Sequence, residues 1–145
     1  MNYLAHGYLS YNYPEIVVGN MVSDFVKGAA KLGFSGKIQK GITLHRDIDA
    51  FTDSHPETKK AKEIFRPHYR LYSGAIMDVL YDHFLANDET IFTEASLKEF
   101  SQGIYKHLEM HTAELPERFV GRSPPHKTSE NRSSRRGPHN PEVIR

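Results

Sequence analysis

The segment Gly41-Ile42-Thr43-Leu44-His45-Arg46-Asp47-Ile48-Asp49-Ala50-Phe51-Thr52-Asp53 decides the fold class. His45, Asp49 and Asp53 recur every fourth position, so on a helix they share one face, with Leu44, Ile48 and Phe51 as an apolar stripe beside it. One imidazole and two carboxylates in a row suit a hard or borderline divalent cation such as Mn²⁺. Taken alone, the same row also suits a solvated polar face.

Outward from this segment the pattern stays helical. An amphipathic stretch covers about Tyr3–Tyr11. Pro14 at a first helical position and Glu15 in the first turn predict a helix to about Lys27, broken by Gly28 and by the Gly33–Gly36 region. Ser35 can cap a helix over Lys37–Ser54, and Pro56 opens another to about Arg66, where Pro67 forces a kink or restart. Further helices are expected over Leu71–Asn87 and over Glu94–Leu115, the latter capped by Thr93. Alternating strand patterns are missing, so the class is all-α: a compact helical domain.

The chain has 145 residues, enough for one small domain, with 38% hydrophobic and 26% charged residues. It has no cysteine, which excludes disulfides and thiolate metal sites and leaves His, Asp and Glu as ligands. The N-terminus lacks the basic start and apolar run of a signal peptide, and no stretch is long and apolar enough for a membrane span. A cytoplasmic protein is expected.

Composition changes after Val120. Residues 121–145 contain no aromatic residue and carry six basic against two acidic side chains, which leaves residues 1–120 with 13 basic and 16 acidic ones. The overall charge of +1 is therefore no nucleic-acid signal for the helical part. The chain divides into a helical domain, 1–120, and a basic Pro/Ser/Arg-rich tail, 121–145. That tail is too poor in apolar residues to offset its ordering entropy, and disorder is expected. It reads either as a natural basic arm or as the out-of-frame end of a damaged gene.

Two more sets of residues could do chemistry. Asp78 and Asp82 lie four apart in the apolar run Ile76-Met77-Asp78-Val79-Leu80-Tyr81-Asp82-His83-Phe84-Leu85, where carboxylates are costly to bury unless paired or bound to a cation. Their alternatives are salt bridges to Arg46 or Arg70, with His83 simply packed. Asp24 sits among apolar residues on an expected buried helix, and His6 follows Leu4-Ala5; a lone histidine on an apolar face is more often a core residue than a ligand. His107 and His111 lack the order of a His-Glu-x-x-His motif and read as an exposed polar face, while His55 and His68 read as surface or capping residues.

Four spaced motifs carry a resemblance. Met1-Asn2-Tyr3-Leu4-Ala5-His6, Gly19-Asn20-Met21-Val22-Ser23-Asp24-Phe25-Val26-Lys27-Gly28, Gly41 to Asp49 with Thr52-Asp53, and Met77 to Leu85 occur in the order found in acyl carrier protein phosphodiesterases, also called acyl carrier protein hydrolases. Leu115-Pro116 and Arg118-Phe119 fit as well. The resemblance covers about 120 residues and stops where the tail begins, although the family continues with further helices. It implies a divergent branch of the helical HD-type phosphohydrolases, although this chain has His45-Arg46-Asp47 and the reversed Asp82-His83 in place of a His-Asp dipeptide.

The resemblance further implies an activity and its parts. The reaction would be metal-dependent hydrolysis of the phosphodiester that joins phosphopantetheine to a serine of holo acyl carrier protein. Asp24, His45, Asp78, Asp82 and His6 would hold Mn²⁺ or Mg²⁺. Asp49 or His83 would orient water or protonate the leaving oxygen, and Arg46 would neutralise phosphate charge. The partner would be the acidic carrier protein, with no nucleic acid and no membrane. Lys59, Lys60, Lys62, Arg66 and Arg70, or Lys27, Lys31, Lys37 and Lys40, would offer a docking face, or simply ordinary solvent-facing surface. Competing readings are an inactive shortened remnant, self-associating through apolar faces left uncovered around residues 71–115, and a metal-free helical binding module.

Overall fold

A computed structural model describes residues 3–120. It is all helical among those residues: α1 (Tyr3–Tyr8), α2 (Pro14–Val22), α3 (Gly36–Ser54), α4 (Pro56–Tyr69), α5 (Ser73–Ala86), α6 (Glu94–Met110) and α7 (Glu117–Val120), joined by short 3₁₀ turns. The expectations for residues 121–145 lie outside the described residues. Among the described residues, no helix is long and apolar enough to cross a membrane.

α2 is the centre of the molecule. Every residue from Val17 to Val22 is buried, as expected of a helix apolar nearly all round. Val17, Val18, Met21 and Val22 form the core with Val26, Ile38 and Ile42, closed by Leu108 and Phe119 from the C-terminal end. α3 crosses α2 at two glycines. A Cβ on Gly19 would lie 2.9 Å from Gly41 Cα and run into the carbonyl of Ile38, while one on Gly41 would run into that of Ile16. Only glycine permits this backbone-to-backbone approach. The crossing sets Asn20 of α2 beside His45 of α3.

Several boundaries follow the sequence signals. Ser35 caps α3, its hydroxyl accepting the Ile38 N–H at 3.3 Å. Thr93 caps α6 in a reciprocal box with Ser96. Four boundaries differ. α1 ends at Tyr8 rather than Tyr11, where the chain takes φ +51°. α2 ends at Val22 rather than Lys27, because the chain tightens into a 3₁₀ turn at Ser23–Phe25, becomes extended at Val26 and takes φ +55° at Gly28. α4 runs through Pro67 to Tyr69 and stops where Arg70 takes φ +46°. Pro67 forfeits one bond, to the carbonyl of Glu63, and that residue is exposed, which lowers the cost of the freed oxygen. α6 ends at Met110, with a separate 3₁₀ turn at Thr112–Glu114, rather than reaching Leu115.

Candidate active site

His6 and His45 meet in the interior. Their rings stack with centroids 4.0 Å apart and planes 12° from parallel, and both side chains are buried. Around them α1, the turn after α2, α3, α4 and α5 wall a cleft of about 290 Å³, lined by His6, Asp24, His45, Asp49, Asp53, Lys62, Gly74, Ala75 and Asp78. The three residues spaced by four on α3 thus face one cavity, and the solvated-face alternative does not hold for His45.

Asn20 sets the orientation of His45. Its Nδ2 donates to the His6 carbonyl and to Ser10 Oγ, both at 2.9 Å. The His6 carbonyl can only accept, so the amide nitrogen is fixed on that side and Oδ1 faces His45 Nδ1 at 3.1 Å. His45 Nδ1 therefore carries the proton and donates. Nε2 then points at two carboxylates, 3.3 Å from Asp24 and 3.3 Å from Asp49. In a neutral imidazole this would set a lone pair against two acceptors. The arrangement calls for a proton or a cation at Nε2.

The electrostatics agree. Burial alone would lower the pKa of His45, but the hydrogen bond to Asp24 and the charges of Asp49 and Asp24 outweigh it, and the net direction is up. His6 moves down: burial and the neighbouring His45 charge disfavour its protonation, and Asp49, 3.2 Å from Nε2, only partly offsets them. One imidazolium fits in the stack, not two. The hydrogen bond from His45 holds Asp24 below the usual carboxylate range against the effect of burial.

His6 Nε2, His45 Nε2 and an Asp49 oxygen come within 4.8 Å of one another, and Asp24 adds a carboxylate at His45. Two imidazoles and two carboxylates fit a divalent ion of borderline or hard character, such as Mn²⁺. The His45 Nε2 that faces two carboxylates is held by a proton in the metal-free chain, and a divalent cation would take that proton's place.

The sequence-derived candidates separate into two groups. His6, Asp24, His45, Asp49 and Asp78 line the cleft, together with Asp53. Asp82, His83 and Arg46 do not. Both oxygens of Asp82 accept backbone N–H groups at the start of α1, from Leu4 at 3.1 Å and Ala5 at 2.9 Å. It holds the helix that carries His6 and, as placed, is not a ligand. His83 is exposed near the end of α5, against Phe84 and Asn87. Arg46 donates to the Val26 carbonyl at 3.0 Å and so ties down the turn that carries Asp24. Asp24 itself sits on a 3₁₀ turn with its side chain 42% exposed, not on a buried helix, because α2 stops one residue before that turn begins. The reversed Asp82-His83 dipeptide lies outside the cleft.

Three residues escaped the sequence reading. Asn20 is an amide inside an apolar helical run, the same signal that singled out Asp24. Ser10, also fully buried, completes its network. Lys62 was grouped with the surface lysines, yet its ammonium turns inward and pairs with Asp53 at 2.6 Å, with the side chain only 20% exposed. No local signal marks that turn, since it depends on how α4 packs against α3 and α5. Of the remaining histidines, His107 bonds Asn12 and His111 bonds the His107 carbonyl, so they form no ligand pair, and His55 caps α4 through the Glu57 N–H.

A family profile described as "Acyl carrier protein phosphodiesterase" matches residues 1–131. The chain belongs to the acyl carrier protein phosphodiesterase family. The match runs past Val120, so family likeness extends beyond the compositional break at which the motif resemblance stopped. The chain is 38% identical over 120 residues to the acyl carrier protein phosphodiesterase of Pectobacterium atrosepticum, covering 82% of this chain and 62% of that protein. It is 37% identical over 121 residues to the one from an Enterobacter strain, covering 83% and 63%. The Photorhabdus laumondii protein of the same name is 33% identical over 120 residues, covering 82% and 61%. The chain thus spans about three fifths of the length of these relatives. No solved structure matches it.

Proposed function

We propose that this chain hydrolyses the phosphodiester between phosphopantetheine and a serine of holo acyl carrier protein, releasing apo carrier protein and phosphopantetheine, with a divalent metal ion held by His6, His45, Asp24 and Asp49. The observation that carries the proposal is the convergence of two buried imidazoles on two carboxylates in a cleft, in a chain of this family. Mn²⁺ is the first choice of metal and Mg²⁺ the second. When bound, such an ion supplies Lewis-acid polarisation of a phosphoryl oxygen and a lowered pKa for water.

The chain's own groups account for the rest. Among the described residues no hydroxyl or thiol side chain lines the cleft, which favours water as the nucleophile. Asp78 is the cleft carboxylate assigned to take a proton from the attacking water and return it to the departing serine oxygen. Asn20 keeps Nε2 of His45 directed into the cleft, and Asp82 keeps α1, and with it His6, in place.

Conversion of holo to apo carrier protein, followed by mass spectrometry with Mn²⁺, tests the reading. Loss of phosphopantetheine mass with the parent chain, abolished by chelator and in Asp24→Ala, is expected. A folded chain that converts nothing at any metal concentration would overturn it.

A further inference from the structure

We propose that Lys62 is the side chain that meets a phosphoryl oxygen of the substrate, with Asp53 holding its ammonium in the cleft until the substrate arrives. This rests on the phosphodiesterase reading above and gives the anionic group its contact.

The cleft as built is strongly acidic. Asp24, Asp49, Asp53 and Asp78 line it, and among the described residues Lys62 is its one Lys or Arg side chain. A phosphodiester entering among four carboxylates needs positive charge beyond that of a metal centre. Arg46, the cation suggested by sequence, is engaged with the Val26 carbonyl outside the cleft. Lys60 is 73% exposed and pairs with Glu57 on the surface of α4.

Lys62 differs from these neighbours in being held inside the cleft. Its stem passes over the first turn of α5, where a Cβ on Gly74 would touch Nζ at 3.8 Å and Cε at 3.9 Å. Its ammonium is fixed by Asp53 at 2.6 Å. Asp53 follows Asp49 and His45 at four-residue steps, each about 6 Å along the helix axis. The ammonium is thereby displaced along α3 from the histidine pair. Asp49, which both histidine Nε2 atoms face, is one such step from Asp53, so Lys62 stands next to the cation site rather than in it. An ion pair with an aspartate whose side chain is 66% exposed is readily exchanged for one with a phosphate, because Asp53 keeps access to water.

The test is calorimetric titration of inorganic phosphate into the full chain, with and without Mn²⁺, for the parent and for Lys62→Met, Lys62→Arg and Asp53→Asn. Lys62→Met should weaken phosphate binding about tenfold or more. Its Mn²⁺ affinity should be unchanged or higher, since a positive charge has left an acidic cleft. Lys62→Arg should restore most of the phosphate affinity, and Asp53→Asn should raise it by freeing the ammonium. Phosphate binding that is equal in the parent and Lys62→Met, absent from the parent in both conditions, or weakened in Asp53→Asn overturns the assignment. Failure of the parent to bind Mn²⁺ counts against the metal reading instead, and the metal-free series still decides on Lys62.

Discussion

Asn20 uses three of its hydrogen-bonding positions on the site, two toward α1 and one on His45. Asn20→Ala leaves His45 Nδ1 without its buried partner and takes one of two hydrogen bonds from the His6 carbonyl and from Ser10 Oγ, and should cost about 1–3 kcal/mol in a denaturant melt. It should also weaken metal binding about 10–100-fold, as the loss of a hydrogen bond to a ligating imidazole does. An unaltered metal titration would remove Asn20 from the site. The histidine pair gives the metal-free chain a pH signature. His45 has its pKa raised, so the stability it contributes is present below its ordinary value near 6.5 and is lost as pH rises through the higher folded value. His6 has its pKa lowered, so its effect runs the other way: the fold loses stability as pH falls below 6.5 toward the lower folded value. Thermal melts of the chelated chain should peak near pH 6.5 from this pair, and Asp24→Asn should flatten the limb above it. A monotonic profile across pH 5–8 would contradict the assignment of charge within the stack. The row of His45, Asp49 and Asp53 was legible because helix spacing alone puts it on one face. Lys62 and Asp82 were not, because nothing in their local sequence says which neighbouring element each side chain will reach.

At the scale of the element, site geometry rests on the glycine crossing of α2 and α3 and on the docking of α1. Gly19→Ala puts a methyl into the Ile38 carbonyl region and must push the helices apart. It should destabilise by about 1–3 kcal/mol and loosen metal binding, because Asn20 and Asp24 move away from α3 with α2. Asp82→Ala removes both acceptors at the start of α1 and should cost about 1 kcal/mol, with weaker metal binding through His6. Thr93→Ala is the control: it loses a cap of similar worth on α6 and should leave metal binding untouched. Equal effects of the last two changes on the metal would mean that α1 does not hold a ligand. Helix starts at Pro14, Pro56 and Thr93 were readable because capping residues and N-terminal prolines act locally. The run of α4 through Pro67 was not, since the cost of a proline depends on whether the freed carbonyl faces water.

At the scale of the whole molecule, the described residues leave large apolar side chains in solvent on the α4–α5 side, Leu71 at 98% exposure with Ile64, Tyr72, Val79 and Phe84. Leu71, Tyr72, Val79 and Phe84 lie within the stretch around residues 71–115 where open apolar faces are expected, and Ile64 lies before it. The all-α class was legible from period alone, and family membership from four short motifs in order. The assembly of the site was only partly so: the motif resemblance placed Asp82 with the ligands and His83 with the catalytic groups, whereas the fold turns both outside the cleft. The central claim is that His6, His45, Asp24 and Asp49 form one cation site. Equilibrium Mn²⁺ binding to the full chain, followed by the loss of the free-ion paramagnetic resonance signal, tests it most directly with His45→Ala beside His83→Ala. The account predicts one tight site in the parent and in His83→Ala, and its loss in His45→Ala. Stoichiometric binding that survives His45→Ala, or that disappears in His83→Ala, would contradict it.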